Sequence, residues 1–409
     1  MSSNIAVEKP KTSNYRWVML ALCALTPLFV VTLPTMSLPP LFTAIGRELD
    51  LTLVEIGTIW GAQSLTGIFF SLIGGTLGDR FGTRRTLVTI CLMTGIFGLA
   101  RGFATDFITL LLTTVLMGSF QIIIPVAVFK VIRQWMPSEQ LGMASGITSA
   151  GFATGLMLGP LLSTSVLEPA LGGWRQVLIF FGVIAIVFSG IWLIATSREK
   201  KHQSEDAPRS TSLMANLRHV VKLRNVWILG LAGLGITGCF RGFTGYMPTY
   251  LKSIGWAELD ADRALSVFFL ASLLAVIPLS TLSDRMGLRR GFLIISGTIL
   301  ATGIGALAFT SDGLILVIIG FTGLFFDSLM AIMNATVMEV EGVGYLYAGT
   351  ALGFASTVRN IGGSLSPPIG NSLVDYSPSV PFLFWSGLGF FAVFMFVFVL
   401  KSPKRKRES

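Results

Sequence analysis

Residues 75–85 read G-T-L-G-D-R-F-G-T-R-R between two apolar runs, and the core of that segment returns from Asp284 to Arg290 as D-R-M-G-L-R-R. A second echo keeps nearly the same offset. Gly146, Gly155, Gly159 and Pro160 in one apolar run recur as Gly353, Gly362, Ser366 and Pro367 in another. Two independent matches at one offset imply that the chain is internally duplicated. Because both repeats are embedded in long apolar stretches, the duplicated unit is a membrane bundle. Paired bundles rocking about a midplane site are how secondary transporters alternate access.

Composition carries the membrane argument. Of 409 residues, 52% are hydrophobic and only 12% are charged, too apolar a balance for a soluble core. A spanning helix needs about 20 mostly apolar residues. Twelve such runs begin near Trp17, Val54, Thr86, Phe107, Gly142, Trp174, Val226, Ala264, Gly291, Leu314, Tyr345 and Pro381. The expected fold is therefore an all-α membrane protein, with twelve transmembrane helices in two pseudo-symmetric six-helix bundles. The bundles are expected over residues 1–196 and 225–409. Between them, residues 197–224 form a hydrophilic linker whose second part, with Leu213, Leu217, Val220 and Val221 at helical spacing, reads as an amphipathic surface helix.

Basic residues orient the chain, since Lys and Arg are enriched in cytoplasmic loops. With the N-terminus inside, 23 of the 30 Lys and Arg fall on the tails and the even-to-odd loops, 5 on the opposite side, and 2 within spans. Both termini are thus expected in the cytoplasm, with the protein in a prokaryotic inner membrane. The net charge of +9 is explained by a lipid-facing basic surface and calls for no nucleic acid. The first apolar run is too long for a signal-peptide core and is expected to serve as its own signal anchor. Cys23, Cys91 and Cys239 have unrelated spacing, and His202 and His219 lie in the central linker without a partner motif. No disulfide, metal or other cofactor is expected, and a monomer is.

At the loop between spans 2 and 3, Gly75, Asp79, Arg80, Gly82, Arg84 and Arg85 spell G-x-x-x-D-R-x-G-x-R-R. That pattern resembles the signature loop of the major facilitator superfamily. The weaker copy between spans 8 and 9 and the long central linker extend the resemblance over essentially the whole chain. The glycines of span 5, with Pro160, are similar to a motif of the family's exporters and antiporters, but Ser163 and Thr164 stand where that motif ends in glycines. The resemblance also gives Thr114 where proton-driven relatives carry an arginine, four residues before Gly118, so it supplies no proton-linked residue.

An aspartate at a helix end followed by fixed cations can form an ion network that closes one side of the pore. The candidate gating residues are Asp79, Arg80, Arg84 and Arg133 in the first half, and Asp284, Arg285 and Glu339 in the second. Asp79 is expected to meet a helix N-terminus or the cations Lys130 and Arg133, and Asp284 and Arg285 to meet Glu339 and Glu341. The plainer reading makes these charges topology determinants only.

The resemblance implies that spans 1, 4, 7 and 10 line a central cavity. Arg241 lies mid-span in span 7, Asp327 in span 10 and Arg359 in span 11, where a lipid-facing charge costs about 2.5–3.5 kcal/mol. They must therefore face protein, water or substrate. Two buried guanidiniums favour an anion, whose oxygens they hold in bidentate fashion. Gln63, Gln121 and Asn334 are candidate neutral contacts, though buried amides more often tie helices together. Tyr246 is a candidate for the apolar body of an organic anion. The structural alternative for the charges is an Arg241–Asp327 salt bridge. In the functional version Asp327 releases Arg241 on protonation or on arrival of an anion, coupling transport to a proton.

The leading expectation is a secondary transporter, not an enzyme, that carries a small anion such as an organic carboxylate, by symport or antiport. The alternatives are an exporter of drugs or amphipathic metabolites, and a membrane sensor that has lost translocation. The sequence holds no G-x-x-x-x-G-K-[ST] phosphate loop, and no His, Cys or carboxylate cluster with catalytic spacing lies in the spans.

Overall fold

A computed structural model describes residues 15–70, 83–196, 213–310 and 313–400. It is built from helices joined by short turns. Ten of them are long and apolar enough to cross a membrane: α1 Tyr15–Met36, α3 Thr83–Phe103, α4 Phe107–Trp135, α5 Ser138–Leu171, α6 Trp174–Ala195, α7 Arg224–Ser253, α8 Glu258–Met286, α9 Arg289–Phe309, α10 Leu314–Met338 and α12 Val380–Phe398. Two further helices complete the set of twelve, α2 Leu53–Phe70 and α11 Gly344–Asn371. α11 is the more polar of these because it carries Arg359, Asn360 and a run of Ser and Gly.

The turns follow from local chemistry. Asp106 and Thr109 form a reciprocal capping box that starts α4, which satisfies backbone donors that would otherwise be orphaned beside the bilayer. At the other end of the bundle, Gly287 ends α8 at φ +64°. That conformation is strained for any residue with a Cβ, so the glycine of the D-R-M-G segment has a backbone reason to be there.

The glycine echoes also have a physical meaning. In α5, a Cβ on Gly151, Gly155 or Gly159 would run into Ala24, Thr32 or Met36 of α1. In α11, a Cβ on Gly362 would run into the carbonyl of Leu234 in α7, and Ser366 donates to the Gly238 carbonyl at 2.7 Å. Thus α5 rests on α1 as α11 rests on α7. Small residues permit both close approaches.

The helix Leu213–Val220 does not lie free on the bundle surface. His219 Nε2 is 2.8 Å from the Gly342 carbonyl and its ring stacks on Tyr347 at 4.2 Å, so this linker histidine is held against the second half. His202 lies outside the described residues.

Hydrogen bonds that join the two sets of six spans cluster away from the termini. Asn371 donates to the Leu53 carbonyl (2.7 Å), Lys252 to the Pro40 carbonyl (3.1 Å), Thr164 to Asp262 (2.7 Å), and Trp60 to the Arg241 carbonyl (2.7 Å). On the terminal side, Gly142 and Gly146 of α5 and Gly349 of α11 have open space where a Cβ would sit. Among the described residues, the hydrogen bonds that join the two halves thus lie mid-span and on the far side. Gly362→Val is expected to push α11 off α7 and destabilise the protein by about 1–3 kcal/mol, whereas Gly146→Val should stay within about 0.5 kcal/mol of wild type. Thermal unfolding of the two purified variants checks the contrast.

Candidate functional site

Arg241 sits in the middle of α7 and is only 9% exposed. Its guanidinium lies 3.9 Å above the Trp60 ring of α2 and donates to the Trp60 carbonyl (3.1 Å) and to Gln63 Oε1 (3.2 Å). The Trp60 indole in turn donates to the Arg241 backbone carbonyl. A cation over an indole face is favourable, and more so when desolvated. Gly245 makes this contact possible, since a Cβ there would strike the Trp60 ring. Arg241 Nε and Gln63 Nε2 are both buried without a partner.

Among the described residues no ion pair joins Arg241 to Asp327, which corrects the salt-bridge expectation. Packing of α10 on α8 shows why. Gly323 packs on the Phe268 carbonyl of α8, and the Asp327 backbone N–H donates to Ser272 of α8 at 3.1 Å. This stretch of α10 therefore approaches α8 closely.

Arg359 is half-buried in α11. It donates to Ser356 Oγ (3.0 Å) on its own helix and to Asn334 Oδ1 (3.4 Å) on α10. Gly233 of α7 brings that helix against its aliphatic stem. The structure thus brings Arg359 and Asn334 together, and Arg241 and Gln63 together. Two other candidates lie elsewhere. The hydroxyl of Tyr246 donates to the Pro378 carbonyl (3.0 Å) and its ring is buried among Tyr250, Phe382 and Trp385, so it faces an aromatic core. Gln121 of α4 donates to the carbonyls of Val30 (2.9 Å) and Val31 (3.4 Å) in α1. Val30 lies four residues before Pro34, which has no N–H to complete that rung of the helix ladder, and residues Pro27–Thr32 are wound as a π-helical turn.

The terminal-side network differs in membership. Arg289, not Arg285, binds both acids: Asp284 at 3.1 Å and Glu339 at 2.6 Å. It ties α8, α9 and α10 within one half, so it does not bridge the two. Arg84 donates to the Leu193 carbonyl of α6 at 3.3 Å, again within one half, and Arg133 is exposed. Asp79 and Arg80 lie outside the described residues.

Sequence reasoning missed the far-side latch. Lys252 at the end of α7 pairs with Asp262 of α8 (2.9 Å) and reaches the Pro40 carbonyl, while Thr164 of α5 donates to the other Asp262 oxygen. Asp262 is 1% exposed. One buried carboxylate therefore links both halves, and leaving such a group unpaired is costly. The only hint in the sequence was that Ser163 and Thr164 replace glycines at the end of span 5.

Comparisons with known proteins agree with this architecture. Residues 24–264 and 252–409 match the Major Facilitator Superfamily, and the chain belongs to that family of transporters. It is similar to a probable sulfoacetate transporter of Cupriavidus necator, 23% identical with 83% of each chain covered. It is also similar to a hexuronate transporter of Bacillus subtilis, 21% identical, covering 85% of this chain and 86% of that one. Among solved structures, a bacterial homologue of the human lysosomal transporter Spinster, in an inward-facing and unoccupied conformation, aligns with a TM-score of 0.76 at 16% identity, over 96% of this chain and 100% of that one.

If Asp262 holds the far side shut, Asp262→Asn should weaken that closure. Spin labels at the exposed far-side positions Ala170 and Glu258 are expected to gain a longer-distance population in the variant, with the open fraction rising about tenfold for a loss of roughly 1.4 kcal/mol. Native Cys23, Cys91 and Cys239 are buried and interfere little with labelling.

Proposed function

We propose that this chain is a secondary transporter for a small organic anion, working by alternating access, in which Arg359 and Arg241 receive the anion's oxygens. The observation that carries the reading is how the two guanidiniums are satisfied. Both lie mid-membrane, and among the described residues neither is ion-paired to a carboxylate. Neutral acceptors and an aromatic face hold them instead. A permanently charged fork with neutral company is suited to accept a carboxylate or sulfonate reversibly, because no resident acid has to be displaced.

The two arginines differ in access. Arg359 is half-buried, with Asn334 beside it to hold a second oxygen. Arg241 is covered by Trp60 and Gln63, which belong to the opposite half. Parting of the far side would withdraw that cover and free the unmatched Nε of Arg241 and Nε2 of Gln63 for the substrate. The contact with Trp60 is then a competitor that takes over Arg241 once the anion has left. With the termini in the cytoplasm, as the basic loops argue, the state described is the inward-facing one. The named substrates of the two relatives, sulfoacetate and hexuronate, are anions, which supports the same substrate class here.

In reconstituted vesicles, Arg359→Ala is expected to raise the half-saturating concentration of a transported carboxylate by about 10–100-fold, the loss of one charged hydrogen-bonded contact of roughly 1.5–3 kcal/mol. Unchanged carboxylate uptake in that variant, or resistance of cells to hydrophobic toxins in its place, would favour the exporter reading. Coupling is assigned to Asp327, the carboxylate at the centre of α10. Asp327→Asn should flatten the dependence of uptake on pH while substrate still stabilises the protein thermally, and retained pH dependence would remove Asp327 from the coupling scheme.

A further inference from the structure

A third arginine lies outside the proposed transport path. Arg101, at the far-side end of α3, was counted in the sequence among loop charges, yet it is 2% exposed. It borders a small, partly open pocket within the first half, together with Thr94, Met117, Gln121 and Phe181. Among the described residues its hydrogen-bond partner is the thioether of Met117, at 3.3 Å from Nη1. Its Nε and Nη2 are buried and unmatched, and so is the hydroxyl of Thr94, which is 3% exposed on the same cavity wall.

No carboxylate lines that cavity. The nearby acid Glu48 is engaged elsewhere: it accepts from Arg175 Nε (2.7 Å) and from the Trp174 indole (2.6 Å). Arg175 also donates to the carbonyls of Gly102 and Ala104, next to Arg101 in the chain. Gln121 turns its amide nitrogen away, to the π-helical turn of α1. Arg101 is therefore a fixed positive charge in a low-dielectric pocket whose own walls offer it a sulfur atom. Such a charge is strongly destabilising unless a counter-charge comes from outside.

We infer that this cavity is a binding site for a small monovalent anion, chloride in the cell, held by Arg101 Nε and Nη2 and by the Thr94 hydroxyl. The pocket is lined by α1, α3, α4 and α6 and has room on the scale of a single water, which excludes an organic acid; chloride, a little larger than water, enters with a small shift of the flexible Met117 side chain. The aliphatic and aromatic lining also suits a weakly hydrated halide. The site is distinct from Arg241 and Arg359, and its occupancy would fasten four spans of the first half to one another.

The test compares the full-length protein in detergent with chloride or with bulky gluconate as the sole anion. Chloride should raise the Tm of wild type by about 2 °C or more, as expected for a ligand that binds only the folded state. The rise should vanish in Arg101→Gln and shrink in Thr94→Val. Crystals grown in bromide should show an anomalous peak in the cavity next to Arg101. The inference is overturned by equal Tm values in the two salts, by a chloride response that survives Arg101→Gln, or by a cavity without bromide signal. Should Arg101→Gln fail to fold, Thr94→Val and the bromide crystals still decide. None of these readings depends on carboxylate transport, so the site and the transport proposal stand or fall separately.

Discussion

A guanidinium inside a bilayer cannot shed its charge, so its surroundings have to answer it, and three arginines set the plan of this structure by how they are answered. Arg241 is covered by an indole ring, a carbonyl and an amide from the opposite half. Arg359 leans on a serine and an asparagine. Arg101 has a thioether. The cost of an isolated charge in hydrocarbon exceeds that of almost any packing defect, so helix placement around these groups is constrained more tightly than around the apolar residues. The glycine at 245 follows from it, because it lets the Trp60 ring come close enough to shield the Arg241 guanidinium.

The closed far side depends on the same principle applied to an acid. Asp262 is buried where α5, α7 and α8 meet, and Lys252 and Thr164 satisfy it from the two halves. Two further contacts reinforce the seam: the α2–α11 approach at Gly57 and Gly61, where the α11 backbone takes the place of a side chain, and the Asn371 amide on the Leu53 carbonyl. By contrast, on the side of the termini Arg289 and Arg84 are bound within single halves.

Much of the fold was legible in the sequence because the membrane enforces it. Span length, the duplicated loop and the glycine echoes each report a hard constraint: bilayer thickness, a left-handed turn such as that at Gly287, and close helix contact. The mid-span arginines were legible for the same reason. Their partners were not. Nothing in the spacing of Trp60 says that it will stack on Arg241 about 180 residues away, and a pairing of Arg241 with Asp327 looks equally good on a helical wheel. Arg101 was hidden by its position at a span end, where a loop residue and a buried one look identical. The reassignment from Arg285 to Arg289 has a similar origin, since Arg285 still lies in α8 whereas Arg289 begins α9 beyond the Gly287 turn, and spacing alone does not say which of the two faces the acids.

The π-helical turn in α1 bears on how such a bundle moves. Below it, Tyr15 anchors the helix to the Ala195 carbonyl of α6; above it, Ser37 is bound to both the Gly159 carbonyl and the Ser163 hydroxyl of α5. The intervening carbonyls are held by a side chain of α4 rather than by the helix ladder. Turns of this kind are where long helices bend, so α1 behaves as two stacked rods with a joint. Both rods rest on α5, the lower one at Ala24 against Gly151 and the upper one through Ser37, so a bend at the joint carries α5 with it, and the amide of Gln121 is the pin on which the joint turns.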